Sequence, residues 1–160
     1  MKPANPGRAR LNAGSHAIFL AIGLLCGLLP LTASHAARER TMLKIQIEVE
    51  GRFAIAALDG SAAARDFASL LPLTVTLEDY ASTEKIADLP RRLSTLGAPA
   101  GSDARQGDLS YYAPWGNLAI FLKDFKYSQG LVKIGRIESG MDVLRRKGAI
   151  KASIRIVGTP

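Results

Sequence analysis

The sequence predicts a mainly β protein in which about eight strands close on themselves as one β-barrel, accompanied by two short helices. Three observations carry that expectation. Apolar and polar residues alternate in several short stretches, the period-two signature of strands with one buried face. Gly, Pro and Asp clusters punctuate these stretches at hairpin intervals. Only two stretches show helical spacing, and both are short. So many half-buried strands in so few residues must hide their edges, and closure does so completely.

The first 36 of the 160 residues are set apart from the fold. Lys2, Arg8 and Arg10 form a basic start without an acid, and AIFLAIGLLCGLLPLTA (17 to 33) is an apolar stretch broken by Pro30. Ser34-His35-Ala36 then places small residues where a signal peptidase reads them. Spanning a bilayer takes about 20 apolar residues. This run is shorter and contains two glycines and a proline. The expected organisation is a signal peptide over 1–36 and one domain over 37–160, exported to the periplasm or secreted, with no stable membrane anchor after cleavage. Cys26 follows Leu25 where a lipoprotein signal wants a small residue, so lipidation is set aside.

Removing the leader changes the chemistry available. All 14 acids lie in the mature part, against 18 basic residues, so a net charge of +7 falls to +4. No run of five or six basic residues is present, and nucleic acid is not an expected partner. Cys26, His16 and His35 all precede the cut. The mature chain therefore has no thiol or imidazole, which excludes disulfides, Cys/His zinc sites and Ser-His-Asp triads together. No cofactor and no metal site is expected. Asp103 and Asp108 with loop carbonyls come nearest to a hard-metal set, without calcium-loop spacing.

The elements follow in order. Leu43, Ile45, Ile47 and Val49 alternate with polar residues, Gly51 and Arg52 interrupt, and Phe53, Ile55 and Ala57 resume, which predicts a hairpin. Ser61 is placed to cap a helix over about 62–71 that buries Ala63, Phe67, Leu70 and Leu71 and stops before Pro72. Leu73, Val75 and Leu77 mark the next strand, and Ile86 to Leu89 a short one. Residues 94–107 hold three glycines and almost no large apolar side chain, which reads as a long surface loop. Leu109 to Tyr112, the turn Ala113-Pro114-Trp115-Gly116, and Leu118, Ile120 and Leu122 form a second hairpin. A loop is expected over 123–130 and a strand over 131–137. Ser139 with Asp142 marks a second helix, with Met141 and Leu144 inward and Gly148 as its cap. Ile150, Ala152, Ile154 and Ile156 close the chain.

Candidate site residues fall in two segments. In SYYAPWGNLAIF (110 to 121), adjacent Tyr111 and Tyr112 must point to opposite faces, so one enters the core and the other is left for a cleft, joined by Trp115 in an aromatic wall at the barrel mouth. Each such ring can also bury ~150 to 250 Å² simply by filling the core. Asn117 serves either as a turn-capping amide or as a ligand group. In the second segment Tyr80, Glu84 and Lys85 would offer a ring, a hydroxyl and charge at the rim. The bland reading of Glu84 and Lys85 is a solvated surface pair of little energetic weight. Glu78 and Asp79 diverge on an extended chain and make no acid/base couple.

The phrases LKIQIEVEGRFAIAAL (43 to 58), LTVTLEDYASTEKIADLP (73 to 90) and GDLSYYAPWGNLAIFLKDFKYSQGLVKIGRIESG (107 to 140) resemble the cyclophilin-like domain of many small, mostly uncharacterised bacterial proteins. The resemblance implies a closed barrel with helices covering its ends. Cyclophilins proper are peptidyl-prolyl isomerases, but their Phe-His-Arg triplet and Gln-Gly-Gly-Asp stretch are absent. Arg91, Arg92, Arg105 and Arg136 stand in no matching context. The expected function is a binding module for a small molecule or extended peptide. The alternatives are a prolyl isomerase with a non-standard active site, and a structural or interaction subunit. The sequence sets no oligomeric state.

Overall fold

The computed structural model describes residues 42–158, so the expected signal peptide lies outside the described residues. Ten strands and two helices follow one another: β1 (Lys44–Val49), β2 (Arg52–Leu58), α1 (Ala62–Ala68), β3 (Leu73–Tyr80), β4 (Glu84–Asp88), β5 (Gly101–Ala104), β6 (Asp108–Tyr112), β7 (Asn117–Phe121), β8 (Phe125–Gln129), β9 (Leu131–Ser139), α2 (Met141–Leu144) and β10 (Ile150–Ile156). Eight strands close a barrel in the order β1-β10-β3-β4-β7-β6-β9-β2, every neighbouring pair antiparallel. The expected mainly β barrel with two short helices is the architecture found.

Alternation makes the interior. Ile45, Ile47, Leu77, Leu109, Leu118, Ile120, Ile134 and Ile154 are all fully buried, and α1 adds Phe67. Ser61 caps α1 as expected, its hydroxyl oxygen accepting from the Ala64 N–H at 3.1 Å. The helix ends three residues earlier than its apolar stripe, at Ala68. Leu70 and Leu71 continue as a turn that still packs on the core.

Three local expectations are corrected. Residues 94–107 and 123–130 are not wholly loop, because β5 and β8 pair there as a separate two-stranded ribbon outside the barrel order. Helix α2 is capped by Gly140 at φ 73, with no side-chain bond from Ser139, which ends β9. A Cβ at position 140 would lie 2.7 Å from the Ala54 Cα, so close approach to β2 requires glycine here. Gly148 lies beyond the one-turn helix, and its backbone serves the barrel wall instead.

Candidate functional site

Strand parity decides which candidates meet. On β6 and β7, Leu109, Tyr111, Leu118 and Ile120 point into the barrel, so Tyr112, Asn117, Ala119 and Phe121 lie on its outer face. Glu84 and Ile86 of β4 share that face. The register places Glu84 opposite Phe121, Ile86 opposite Ala119, and Tyr112 opposite Asn117. The ribbon lies over this patch, contributing Phe125 and Ser128, and Tyr80, Trp115 and Leu131 complete the lining. Between wall and ribbon remains a pocket of about 150 Å³.

The pocket is therefore on the outside of the wall rather than at the barrel mouth. Its floor is a second, smaller apolar cluster of Ala104, Ala119, Phe121 and Leu131, with Ile86 and Tyr112 packed against it. Phe121 and Phe125 stack with ring centroids 6.1 Å apart, which ties the ribbon to the wall. One side is an aromatic corner. Tyr80 and Tyr112 each stand edge-on to Trp115, with centroids 5.4 Å apart in both pairs and planes crossed at 85° and 80°.

Trp115 is held although 56% of it is exposed. Gly116 takes φ 81 and donates its N–H to the Tyr112 carbonyl, which closes the turn. The Arg92 guanidinium donates to the carbonyls of Ala113 and Pro114, and Ala113 N–H donates to the Gly130 carbonyl. The turn is thus tied to two other parts of the chain, and the ring it carries is positioned without being submerged.

Glu84 and Asn117 are the polar wall residues of the pocket. The Glu84 carboxyl is half-buried among rings, and burial alone pushes it up from 4.5 to about 7. No lysine or arginine lines the pocket to oppose that effect. Asn117 is 2% exposed, its Nδ2 donates to the Leu118 carbonyl at 3.4 Å, and its Oδ1 accepts from nothing among the described residues.

Of the expected residues, the structure brings together Tyr80, Glu84, Tyr112, Trp115 and Asn117. Tyr111 and Lys85 face the other way. Tyr111 is the tyrosine that enters the core, where its hydroxyl oxygen accepts from the Leu93 N–H at 3.2 Å. Lys85 is 0% exposed rather than presenting charge at the rim. Its ammonium lies 2.6 Å from the Asp79 carboxylate and donates to the Gly148 carbonyl, and those partners are what make a buried cation tolerable. The nearest thing to a metal set is likewise occupied internally, because Asp108 pairs with Lys133 and Arg136, and Asp103 with Arg105. Sequence reasoning missed Ile86, Phe121, Phe125, Ser128 and Leu131. The signal for Phe125 was present in Phe-Lys-Tyr-Ser, which alternates like a strand.

A model of the cyclophilin-like family matches residues 47–155, which run from the middle of β1 to the penultimate residue of β10. The chain belongs to the cyclophilin-like family. Among solved structures, this cyclophilin-like barrel is similar to the solution structure of a hypothetical protein from Archaeoglobus fulgidus. The two are 17% identical with a TM-score of 0.60, over 75% of this chain and 99% of that one. At that identity the likeness is one of fold. No curated protein matches the sequence.

Proposed function

We propose that this cyclophilin-like barrel is an exported binding module that holds a small molecule, or a side chain of an extended peptide, in the pocket between the β4-β7-β6 wall and the β5-β8 ribbon. The observation that carries the reading is the lining itself. An apolar floor, an exposed aromatic corner and the Glu84 carboxyl line one concavity. Ligand sites have this composition. A ring that merely filled the core would not leave Trp115 more than half exposed at the edge of that concavity. The basic start, apolar run and small residues before position 37 support export.

A fragment screen followed by thermal shift and Trp115 fluorescence tests the binding reading. A saturable ligand whose thermal shift disappears in Trp115→Ala and Tyr112→Ala is the expected result, and an empty screen argues for a purely structural barrel. N-terminal sequencing of protein from the cell envelope tests export, with Met1 intact there as the contrary result.

Prolyl isomerisation is the second reading, and the floor of Phe121, Phe125 and Leu131 favours it, since an apolar surface would desolvate an X-Pro amide. It ranks below binding because no arginine lines the pocket and Arg92 is engaged by the turn. A protease-coupled isomerisation assay at no more than background rate removes it.

A further inference from the structure

Glu84 is the one acid that lines the pocket, and no lysine or arginine lines it beside Glu84. The Tyr80, Tyr112 and Ser128 hydroxyls can donate or accept and the Trp115 N–H donates, so these set no preference by charge, and the Asn117 amide is turned to the Leu118 carbonyl. An anionic ligand would meet a like charge with no cation to offset it. A neutral apolar ligand would leave the half-buried Glu84 carboxyl without a partner. A group that carries positive charge and N–H bonds removes both costs. The aromatic corner acts in the same direction, because the faces of Tyr and Trp rings attract cations. At about 150 Å³ the pocket is roughly half of the ~300 Å³ at which drug-sized sites begin, so it suits one functional group and its nearest carbons.

We propose that the pocket recognises a protonated amine, whose N–H bonds reach Glu84 while its carbons lie against Tyr80, Tyr112 and Trp115. This rests on the binding reading above and names the chemistry of its ligand. The groups around Glu84 do not supply that charge internally. Tyr80 faces it from β3 with Glu78 farther along the same strand, β7 presents Phe121 and Ala119, and β8 presents Phe125. Lys123, Asp124 and Lys126 stand near Phe125 in sequence but do not line the pocket, and Asp124 accepts from Arg105 and the Gln106 N–H. Because burial holds the Glu84 proton to about pH 7, an ammonium ligand must displace it, and binding strengthens as pH rises through that value.

Trp115 is the sole tryptophan, so its fluorescence reports the site directly. Three near-isosteric probes, tert-butylammonium, tert-butanol and pivalate, are titrated at matched ionic strength. Saturable binding of the ammonium is expected, weaker by at least roughly tenfold for the alcohol, with none for pivalate. Glu84→Gln is expected to weaken the ammonium by roughly tenfold and abolish its pH dependence. Trp115→Leu, followed by calorimetry, is expected to weaken it by roughly threefold or more.

Equal binding of alcohol and ammonium, or full ammonium affinity in folded Glu84→Gln, overturns the assignment and leaves the pocket as a binding site of other chemistry. If no probe binds while the fragment screen returns neutral or anionic ligands, the ammonium assignment alone falls. If the screen is empty as well, both readings fall. A peptide with one lysine, compared with its norleucine counterpart and with the free amine, then separates the two sources of the cation. Preference for the lysine peptide over both assigns it to a protein chain, and preference for the free amine assigns it to a small molecule.

Discussion

The Lys85 ammonium lies 2.6 Å from the Asp79 carboxylate of the neighbouring strand, with the lysine wholly inside the barrel wall and the aspartate partly in solvent. Asp79 also accepts from the Gly148 N–H, and Lys85 donates to the Gly148 carbonyl, so two side chains anchor both polar groups of one glycine beyond α2. The Lys85 bond, followed by that of Gly148, holds the Asp79 carboxyl below its usual value. This arrangement fixes the segment between α2 and β10.

The pair predicts an asymmetry between substitutions. Lys85→Met keeps the volume and removes the buried charge, and is expected to unfold within about 1 kcal/mol of the parent. Lys85→Ala leaves a cavity as well, and is expected to lose about 2–4 kcal/mol. Asp79→Asn strands the cation and should lower the urea midpoint relative to Lys85→Met. Equilibrium unfolding at neutral pH orders the three, and an Asp79→Asn midpoint above that of Lys85→Met contradicts the account.

Glu84 and Asp66 move acid-side stability in opposite directions. Glu84 rises from 4.5 to about 7 on folding, so the folded chain keeps a proton that the unfolded chain releases, and stability falls as pH climbs across that window. Asp66 is held at about 2 instead of 3.8, first by its bond from Arg91 and then by that from the Ser94 N–H. Its contribution is complete above pH 3.8 and is lost as pH drops toward 2. Glu84→Gln is expected to flatten stability between pH 4.5 and 7 and to leave the acid limb in place. Urea midpoints at half-unit steps of pH check this, and an unchanged slope between those limits would mean that Glu84 titrates as a solvated carboxyl.

The ribbon depends on a close backbone approach at Gly101, where an added Cβ would lie 2.8 Å from the Gln129 Cα and press on the Ser128 carbonyl. Gly101→Ala is expected to part β5 from β8 while the barrel stays folded. Amide exchange should then accelerate at 101–104 and 125–129 and remain slow at Ile45, Leu118 and Ile120. Uniform acceleration would show that ribbon and barrel open together.

Trp115→Ala is expected to cost about 1 kcal/mol or less, since more than half of the ring is already in solvent and mainly its edge contacts to Tyr80 and Tyr112 are lost. Tyr111→Phe should cost about 1–3 kcal/mol, because it leaves the Leu93 N–H without its acceptor. Thermal denaturation of the two variants side by side tests the division between a residue kept for the site and one kept for the core.

What the sequence made legible was parity. Alternation placed Leu118 and Ile120 inward, and adjacency forced Tyr111 and Tyr112 apart, so the barrel and half of the pocket could be read from residue order. The ribbon was obscured because β5 consists of Gly, Ser, Asp and Ala, whose pairing comes from the approach of β8 rather than from any apolar stripe. Lys85 was misplaced for a related reason. A lysine is read as exposed by default, and only the register that sets it opposite Asp79, with Gly148 close by, makes burial tolerable. Glu84 shows the converse: its residue type was noticed, but the lack of a cation beside it belongs to three-dimensional packing.

Every residue of β7 from Asn117 to Phe121 is buried, although only alternate ones face the barrel interior. One strand thus serves as the inner lining of one compartment and the outer lining of another. A shift of a single position along it would exchange the contents of both, so the outer pocket is locked to the same register that seals the barrel. Changes to the outer compartment that leave the seal intact are therefore those made in the overlying flap and the tryptophan-bearing bend.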